Sequence, residues 1–192
     1  MSNSSRNCLR QETLEVGVEN DIVWVGIVCT KWPPRSEPRA YKLLEEIMRE
    51  KEILVASAVK PELAGSLERI LSAAYTVYKS FSRGKSIARK PGIELLLYLL
   101  GERNISRVVG RYDPAGKALV VLVARHRDKL KEALRKAREE LGEETCCISP
   151  EDTLELLQRE GRLNPPGSCG GECARRLLET YTSVFSGVKP KE

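Results

Sequence analysis

The chain has a single histidine, His126, among its 192 residues. A Ser-His-Asp or Cys-His catalytic system would therefore have to use His126 as its base. That residue lies between Arg125 and Arg127, directly after an apolar run, and nothing in the sequence nominates a nucleophile for it. A solvated histidine at the entry of a helix is the commoner explanation of such a position. We therefore expect no catalytic residues and no enzyme activity.

Long apolar runs are also missing. No stretch approaches the roughly 20 residues that a helix needs to cross a bilayer. The first residues, Met1 to Gln11, are polar and lack both the apolar core and the small-residue cleavage site of a secretory signal. We expect a cytoplasmic protein that does not insert into a membrane.

The cysteines lack the Cys-x-x-Cys spacing of zinc knuckles, since one pair is adjacent and another is separated by three residues. We therefore expect no structural metal and, as the commonest arrangement, free thiols that are buried or half-buried. Few amides and an excess of Glu over Asp are typical of thermophilic proteins, in which intracellular disulfides occur, so a bond between Cys169 and Cys173 stays open. The six residues are Cys8, Cys29, Cys146, Cys147, Cys169 and Cys173.

A complete phosphate-binding loop is absent as well. Gly84-Lys85-Ser86 imitates the end of such a loop, but the motif needs a glycine five residues before Gly84, where this chain has Lys79. The motif also needs a preceding strand, whereas a helix is predicted there. We expect no nucleotide hydrolysis and no cofactor.

The remaining composition, 41% apolar and 31% charged residues, is typical of one globular domain. We predict an α/β (α+β) fold in which several helices cover a small central mixed sheet of about four strands, because β-rich apolar runs alternate with helical periodicity. We expect flexible tails at residues 1–20 and 188–192 and a single domain over residues 21–187. The predicted strands are Ile22 to Cys29, Ile53 to Val59, Ala118 to Ala124 and, more weakly, Thr145 to Ile148.

Helical periodicity and capping residues predict six helices. One of them carries a charge inside an apolar run, because Glu94 interrupts Ile93 to Leu100. A carboxylate on a buried helix is usually paired or capping something, and an Arg or Lys of the preceding loop is the partner we expect. The six helices begin near Ser36, Pro61, Ile93, Leu130, Pro150 and Ala174. Gly101 can end or bend the third, and the helical pattern resumes over Glu102 to Arg111.

Positive charge is concentrated in one window. Residues 79–111 carry a net charge of +6, whereas the whole chain carries +5, so the remainder nets −1. Concentrated Arg and Lys on a loop and a helix stripe are the footprint of phosphate contact. Charge alone leaves open a solvated helix face or arginines paired with glutamates. The cations are Lys79, Arg83, Lys85, Arg89, Lys90, Arg103, Arg107 and Arg111, the last three forming a stripe opposite Ile105, Val108 and Val109.

The segment from Gly84 to Val123 resembles the PRPK-binding protein family, the small accessory subunit of the KEOPS (EKC) tRNA-modification complex, which has archaeal and yeast relatives. The likeness rests on the basic loop, Ile93-Glu94-Leu95-Leu96-Leu97, then Gly101-Glu102-Arg103-Asn104-Ile105 and the strand from Ala118 to Val123. Asn104 stands where the family usually has Gln, and Val108 where a small residue is frequent. The order of elements agrees over about residues 20–186.

The resemblance implies a non-catalytic subunit that binds the small atypical kinase/ATPase of KEOPS and the tRNA 3′ CCA end. It would thereby support threonylcarbamoyladenosine (t6A) modification next to the anticodon. A protein-interaction module that regulates the kinase without binding RNA is the alternative, and a redox or metal protein built on the cysteines is a third. The residues we expect to bind nucleic acid are Lys85, Arg89, Lys90, Arg103, Asn104, Ile105 and Arg107.

Overall fold

The computed structural model describes residues 12–18, 21–33, 38–50, 52–110, 112–142 and 150–159, together with Cys173 and Arg176. The fold is α+β, with an antiparallel sheet in the order β1-β2-β4-β3. The strands are β1 (Glu12–Val18), β2 (Asp21–Trp32), β3 (Ile53–Val59) and β4 (Gly116–Ala124). The helices are α1 (Arg39–Met48), α2 (Leu67–Ser82), α3 (Pro91–Leu100), α4 (Arg127–Leu141) and α5 (Pro150–Arg159).

The central position that its composition predicts for β4 is confirmed. β4 lies between β2 and β3, and its residues from Ala118 to Ala124 are all buried. The expectation of a mixed sheet is wrong, because every pair of neighbouring described strands is antiparallel. β2 and β3 run parallel to each other, which their connection through α1 allows, but β4 separates them. The predicted strand at 145–148 lies outside the described residues.

The sheet begins earlier in the chain than expected. β1 forms a hairpin with β2, pairing Leu14 with Val25 and Val16 with Val23. This strand occupies part of the range 1–20 that we expected to be a flexible tail, so the predicted tail does not hold for Glu12–Val18. Hydrogen bonding to β2 is the physical reason.

Helices cover both faces of the sheet. On one face, side chains of β2 and β4 such as Val25 and Val121 pack with α2, α3 and α5. On the other face, alternating residues such as Val28 and Val120 pack with α1 and α4. Successive strand side chains point to opposite faces, so a strand buried on both faces has a continuous apolar sequence. All functional candidates lie on the α2 and α3 side.

Several helix boundaries differ from the prediction. Pro61–Leu63 form only a 3₁₀ turn, and α2 begins at Leu67 after the left-handed Gly65 (φ 72°), capped by the Ser66 hydroxyl. Of the two roles expected for Gly101, ending the helix is the one observed, since Gly101 follows α3 in the left-handed conformation. The helical pattern expected over Glu102 to Arg111 gives only the 3₁₀ turn Ile105–Arg107. Ser36, the expected cap of α1, lies outside the described residues, as does the predicted helix from Ala174 apart from Arg176, which is helical.

Free thiols were the wrong expectation for the described cysteines. Cys29 and Cys173 are both disulfide-bonded. Cys29 is 8% exposed on β2, so its sulfur is held inside the fold. Sequence spacing favoured free thiols because it gave no pairing partner for Cys29. The other four cysteines lie outside the described residues.

In the described part of the chain, no helix is both long enough and apolar enough to cross a membrane.

Candidate nucleic-acid interface

The basic loop, defined here as residues 83–90, connects α2 to α3 and is anchored at both ends. Gly84, with φ 63°, lets the chain leave α2 through a turn in which the Lys85 N–H donates to the Ser80 carbonyl at 2.8 Å. A Cβ added at Gly84 would have no atom within 4 Å, so backbone conformation alone favours glycine there. Ala88, 2% exposed, inserts its methyl group into the core. Lys90 then occupies the position before α3, whose first residue is Pro91, and its side chain makes no capping hydrogen bond.

Glu94 fastens the middle of this loop. Its carboxylate accepts hydrogen bonds from the backbone N–H of Ile87 at 3.2 Å and of Ala88 at 2.6 Å. The side chain is fully buried. Glu94 therefore does cap something, as predicted, but these two hydrogen bonds come from backbone amides of the loop rather than from an Arg or Lys side chain.

Tyr98 lies one turn further along α3 and extends the same polar cluster. Burial raises the pKa of its phenol, and the charge of Glu94 and a hydrogen bond to that carboxylate raise it further. A hydrogen bond with Ser80 and the charge of Arg103 act in the opposite direction. Tyr98 is half-buried and packs against the core, so its ring is largely part of the scaffold.

The segment after α3, residues 101–107, is a second organised loop rather than a helix. The Glu102 carboxylate accepts from the N–H of Arg103 at 2.8 Å and of Asn104 at 3.0 Å, and its second oxygen lies 3.6 Å from the Arg107 guanidinium. The Asn104 side chain in turn accepts from Ser106 and caps the 3₁₀ turn Ile105–Arg107.

The expected arginine stripe is only partly present. Arg103 and Arg107 are exposed, but Val109, which we placed on the inner side, is 54% exposed. Val108 is fully buried and Ile105 packs against the core while remaining partly accessible. The reason for the difference is the short 3₁₀ turn, which does not continue the helical period of 3.6 residues. Arg111 lies outside the described residues.

The seven predicted site residues fall into two groups at opposite ends of α3. Lys85, Arg89 and Lys90 precede the helix, and the group from Arg103 to Arg107 follows it. Ten residues at about 1.5 Å each make α3 about 15 Å long. Because the chain reverses at Gly101, where the Glu102 N–H donates to the Leu97 carbonyl at 2.9 Å, the charge of Arg103 still acts on Tyr98.

Most of these cations are free for an external anion. Arg83, Lys85, Arg89, Lys90 and Arg103 are exposed, and none forms an ion pair with a described residue. Phosphate groups would not have to displace a protein carboxylate to reach them. Arg83 belongs to this set although the sequence did not single it out as a site residue.

Three basic residues of α4 are paired with carboxylates. Lys129 pairs with Glu132 at 3.2 Å, and Arg135 pairs with Glu139 at 2.7 Å on the same helix. Lys136 reaches across to Glu46 of α1 at 3.6 Å. These three cations of α4 are thus neutralised within the protein, whereas no cation of the basic loop forms an ion pair with a described residue.

Sequence reasoning missed two contributors to this region. Glu102 was counted only as a negative charge, although it binds two backbone amides and meets Arg107. The other is Ser80 of α2, which hydrogen-bonds Tyr98 and whose backbone carbonyl accepts from the Lys85 N–H. A carboxylate followed at once by a polar, asparagine-containing turn was the available signal for Glu102.

No protein-family model matches the chain, and no curated protein matches it either.

Proposed function

We propose that the chain is a non-catalytic tRNA-binding subunit of the KEOPS complex, which binds the tRNA 3′ CCA end and the small atypical kinase/ATPase subunit and so supports t6A modification. The observation that carries the RNA part is the set of five exposed cations, without ion pairs among the described residues, on the two loops that flank α3. The assignment to KEOPS comes from the family resemblance, whose most specific stretch is residues 84–105.

The arrangement suits an extended single strand. Two cationic groups separated by the length of α3, about 15 Å, can contact phosphates that lie two or three nucleotides apart on an extended strand. Aromatic side chains contribute little here, since Tyr98 is tied to the scaffold. Guanidinium planes of Arg89 and Arg103 are the groups we expect to contact the bases.

The direct test is the affinity of the purified protein for a full tRNA transcript and for the same tRNA without its CCA tail, at two salt concentrations. We expect tight, salt-sensitive binding that is lost when the tail is removed. Equal binding of both RNAs would mean a generic polybasic surface, and absence of binding would overturn the tRNA-binding role.

Two triple variants with the same change in charge test whether RNA binding depends on the basic loop or on the net charge of the protein. Replacing Lys85, Arg89 and Lys90 by Ala should reduce the slope of log affinity against log salt by up to about 2, at about 0.7 for each lost single-strand phosphate contact. The control replaces Lys129, Arg135 and Lys136, the cations of α4 that are ion-paired, and removes the same charge. Equal effects of the two triples would contradict a local interface.

Arg103 and Arg107 test the second loop. Their joint replacement by Ala should also weaken binding and flatten the salt dependence, with Arg103 contributing more because Arg107 already faces Glu102 at 3.6 Å. Unchanged affinity and slope in this double variant would remove the second loop from the interface.

The alternative, a module that regulates the kinase without binding RNA, is favoured by two exposed apolar side chains. Ile87 is 45% exposed within the basic loop, and Val109 is 54% exposed after the second loop. Apolar residues beside charges are typical of protein contacts. This alternative predicts binding to the purified kinase that Ile87→Ser weakens, together with no measurable affinity for tRNA.

A further inference from the structure

The basic loop is held in place by its backbone, which leaves its cationic side chains without an ion pair to any residue that the structure describes. Lys85 N–H binds the Ser80 carbonyl, Ile87 and Ala88 N–H bind Glu94, and Ala88 fills the core with its methyl group. None of these anchors involves the side-chain amine or guanidinium groups of the loop. The loop therefore presents cations from a fixed main chain.

Glu94 is the charged member of these anchors, and it lies in the first turn of α3, where its own N–H donates to the carbonyl of Lys90 at 3.2 Å. A fully buried carboxylate has a desolvation cost, which two backbone N–H donors offset here. Its negative charge also lies beneath a surface that would attract phosphate. Simple electrostatics would therefore favour an uncharged residue at this position.

We infer that Glu94 is a positioning residue for RNA binding, which acts by fixing the main chain at Ile87 and Ala88 so that Lys85, Arg89 and Lys90 meet phosphates in a set arrangement. This inference rests on the proposed function. A loop that is ordered before binding loses less conformational entropy when it binds, and that saving appears as affinity.

An electrostatic role and a positioning role of Glu94 predict opposite changes in RNA affinity for the same substitution. Glu94→Gln removes a negative charge, so a purely electrostatic surface should bind RNA more tightly. The amide side chain can accept from one N–H but presents its own NH₂ to the other, so one loop anchor is lost. The positioning role therefore predicts weaker binding, by about tenfold, since one or two residues must then be ordered on binding.

The experiment compares tRNA affinity for the wild-type chain, Glu94→Gln, Glu94→Asp and the control Glu45→Gln. Glu45 is an exposed residue of α1, on the other face of the sheet, and its substitution makes the same charge change. Glu94→Asp keeps the charge but withdraws the carboxylate by one methylene, so its loss of affinity reports geometry alone. Amide hydrogen exchange should accelerate at residues 87 and 88 in both Glu94 variants while the core stays protected.

A double-mutant cycle distinguishes positioning from general destabilisation. In a chain that already has Lys85, Arg89 and Lys90 replaced by Ala, Glu94→Gln should change affinity less than about twofold, because the groups it positions are gone. Equal or tighter tRNA binding by a folded Glu94→Gln or Glu94→Asp chain would overturn the inference while leaving the proposed function intact. A persistent loss of about tenfold in the triple background would overturn it too. If the wild-type chain fails to bind tRNA, the proposed function itself fails.

Discussion

Replacing Arg69 by Met is the sharpest test of how α3 is held in the fold. The Arg69 side chain is fully buried, and its guanidinium donates to the carbonyls of Leu63 and Leu99, with Ala64 at 3.5 Å. Leu99 belongs to the last turn of α3, whose carbonyls have no partner within the helix. A cation at this end also interacts favourably with the helix dipole. Arg69 thus joins α2, the 3₁₀ turn before it and the C-terminal end of α3.

The expected change in the free energy of unfolding is set by the carbonyl groups that lose their donor. Met matches the length of the arginine stem but leaves the Leu63 and Leu99 carbonyls buried without that donor, at about 1–3 kcal/mol each. Removing a desolvated charge returns part of this cost. We expect a net loss of about 3 kcal/mol in the free energy of unfolding, measured by urea denaturation with linear extrapolation. Arg69→Lys, whose ammonium is a more compact donor, should lose less.

A local measurement accompanies the global one. Because Leu99 lies two residues before Gly101, the second loop should exchange its amide hydrogens faster in Arg69→Met than in the wild type. A stability within about 0.5 kcal/mol of the wild type, the usual range for an unimportant surface change, would refute the reasoning that the buried guanidinium organises this end of α3.

Three further predictions test the fold and the polar cluster. Cys29→Ala should lower the free energy of unfolding by about 3 kcal/mol when denaturation is measured without a reductant. The reason is that no other cysteine lies within 20 residues of Cys29, so its disulfide closes a long loop. An equal difference between the variant and the wild type in dithiothreitol would show that the disulfide is not the cause. Gly92→Ala places a Cβ 2.7 Å from the Ser57 hydroxyl oxygen, so the free energy of unfolding, measured by thermal denaturation, should fall by about 1–3 kcal/mol. Adding Ser57→Ala to this variant should restore part of the lost stability. If the effects of the two substitutions simply add, this contact is not the cause. The pKa of Tyr98 in the folded state is raised above the unfolded value of 10.0. Its stabilising contribution is therefore complete below pH 10.0 and is lost as the pH rises through the folded-state pKa. Stability should fall more steeply at alkaline pH in the wild type than in Tyr98→Phe, and an equal fall in both proteins would contradict the burial of the phenol.

The sequence predicts β4, which is buried on both faces, and the edge strand β3 better than it predicts β1, the strand at the other edge. Ala118 to Ala124 is apolar without interruption because helices cover both sides of β4, and that pattern identifies a central strand. β1 alternates instead, with Leu14, Val16 and Val18 separated by polar residues and glycine. That alternation is the signal of a half-buried strand, but the polar residues before it obscured the boundary.

The direction of neighbouring strands could not be predicted from the sequence, and the reason is topological. A helix between two strands allows them to be parallel neighbours, and β2 and β3 are indeed parallel. Nothing in either strand's composition records that β4, which comes more than 50 residues later, inserts between them. The antiparallel register is therefore a property of non-local pairing, which no local pattern encodes.

The candidate interface shows the same division between local and non-local information. Cation density over residues 79–111 is a local property, and the structure confirms that the basic loop is exposed. The role of the two carboxylates in that window depends on the folded backbone, and so it cannot be predicted from a count of charges. Glu94 and Glu102 reduce the charge count, yet each binds two backbone N–H groups of a loop that carries cations.

Both loops thus use a carboxylate that accepts hydrogen bonds from main-chain amides, and Glu94 does so from inside the core. A buried acceptor is strongest for a donor held in a fixed position, because water cannot compete with it. The two carboxylates within the basic window therefore hold the backbone of the loops that carry the cations. On the proposed RNA-binding role, Glu94→Gln and Glu102→Gln should each raise the net positive charge of the chain and lower its affinity for tRNA, whereas a surface governed by net charge would bind both variants more tightly than the wild type.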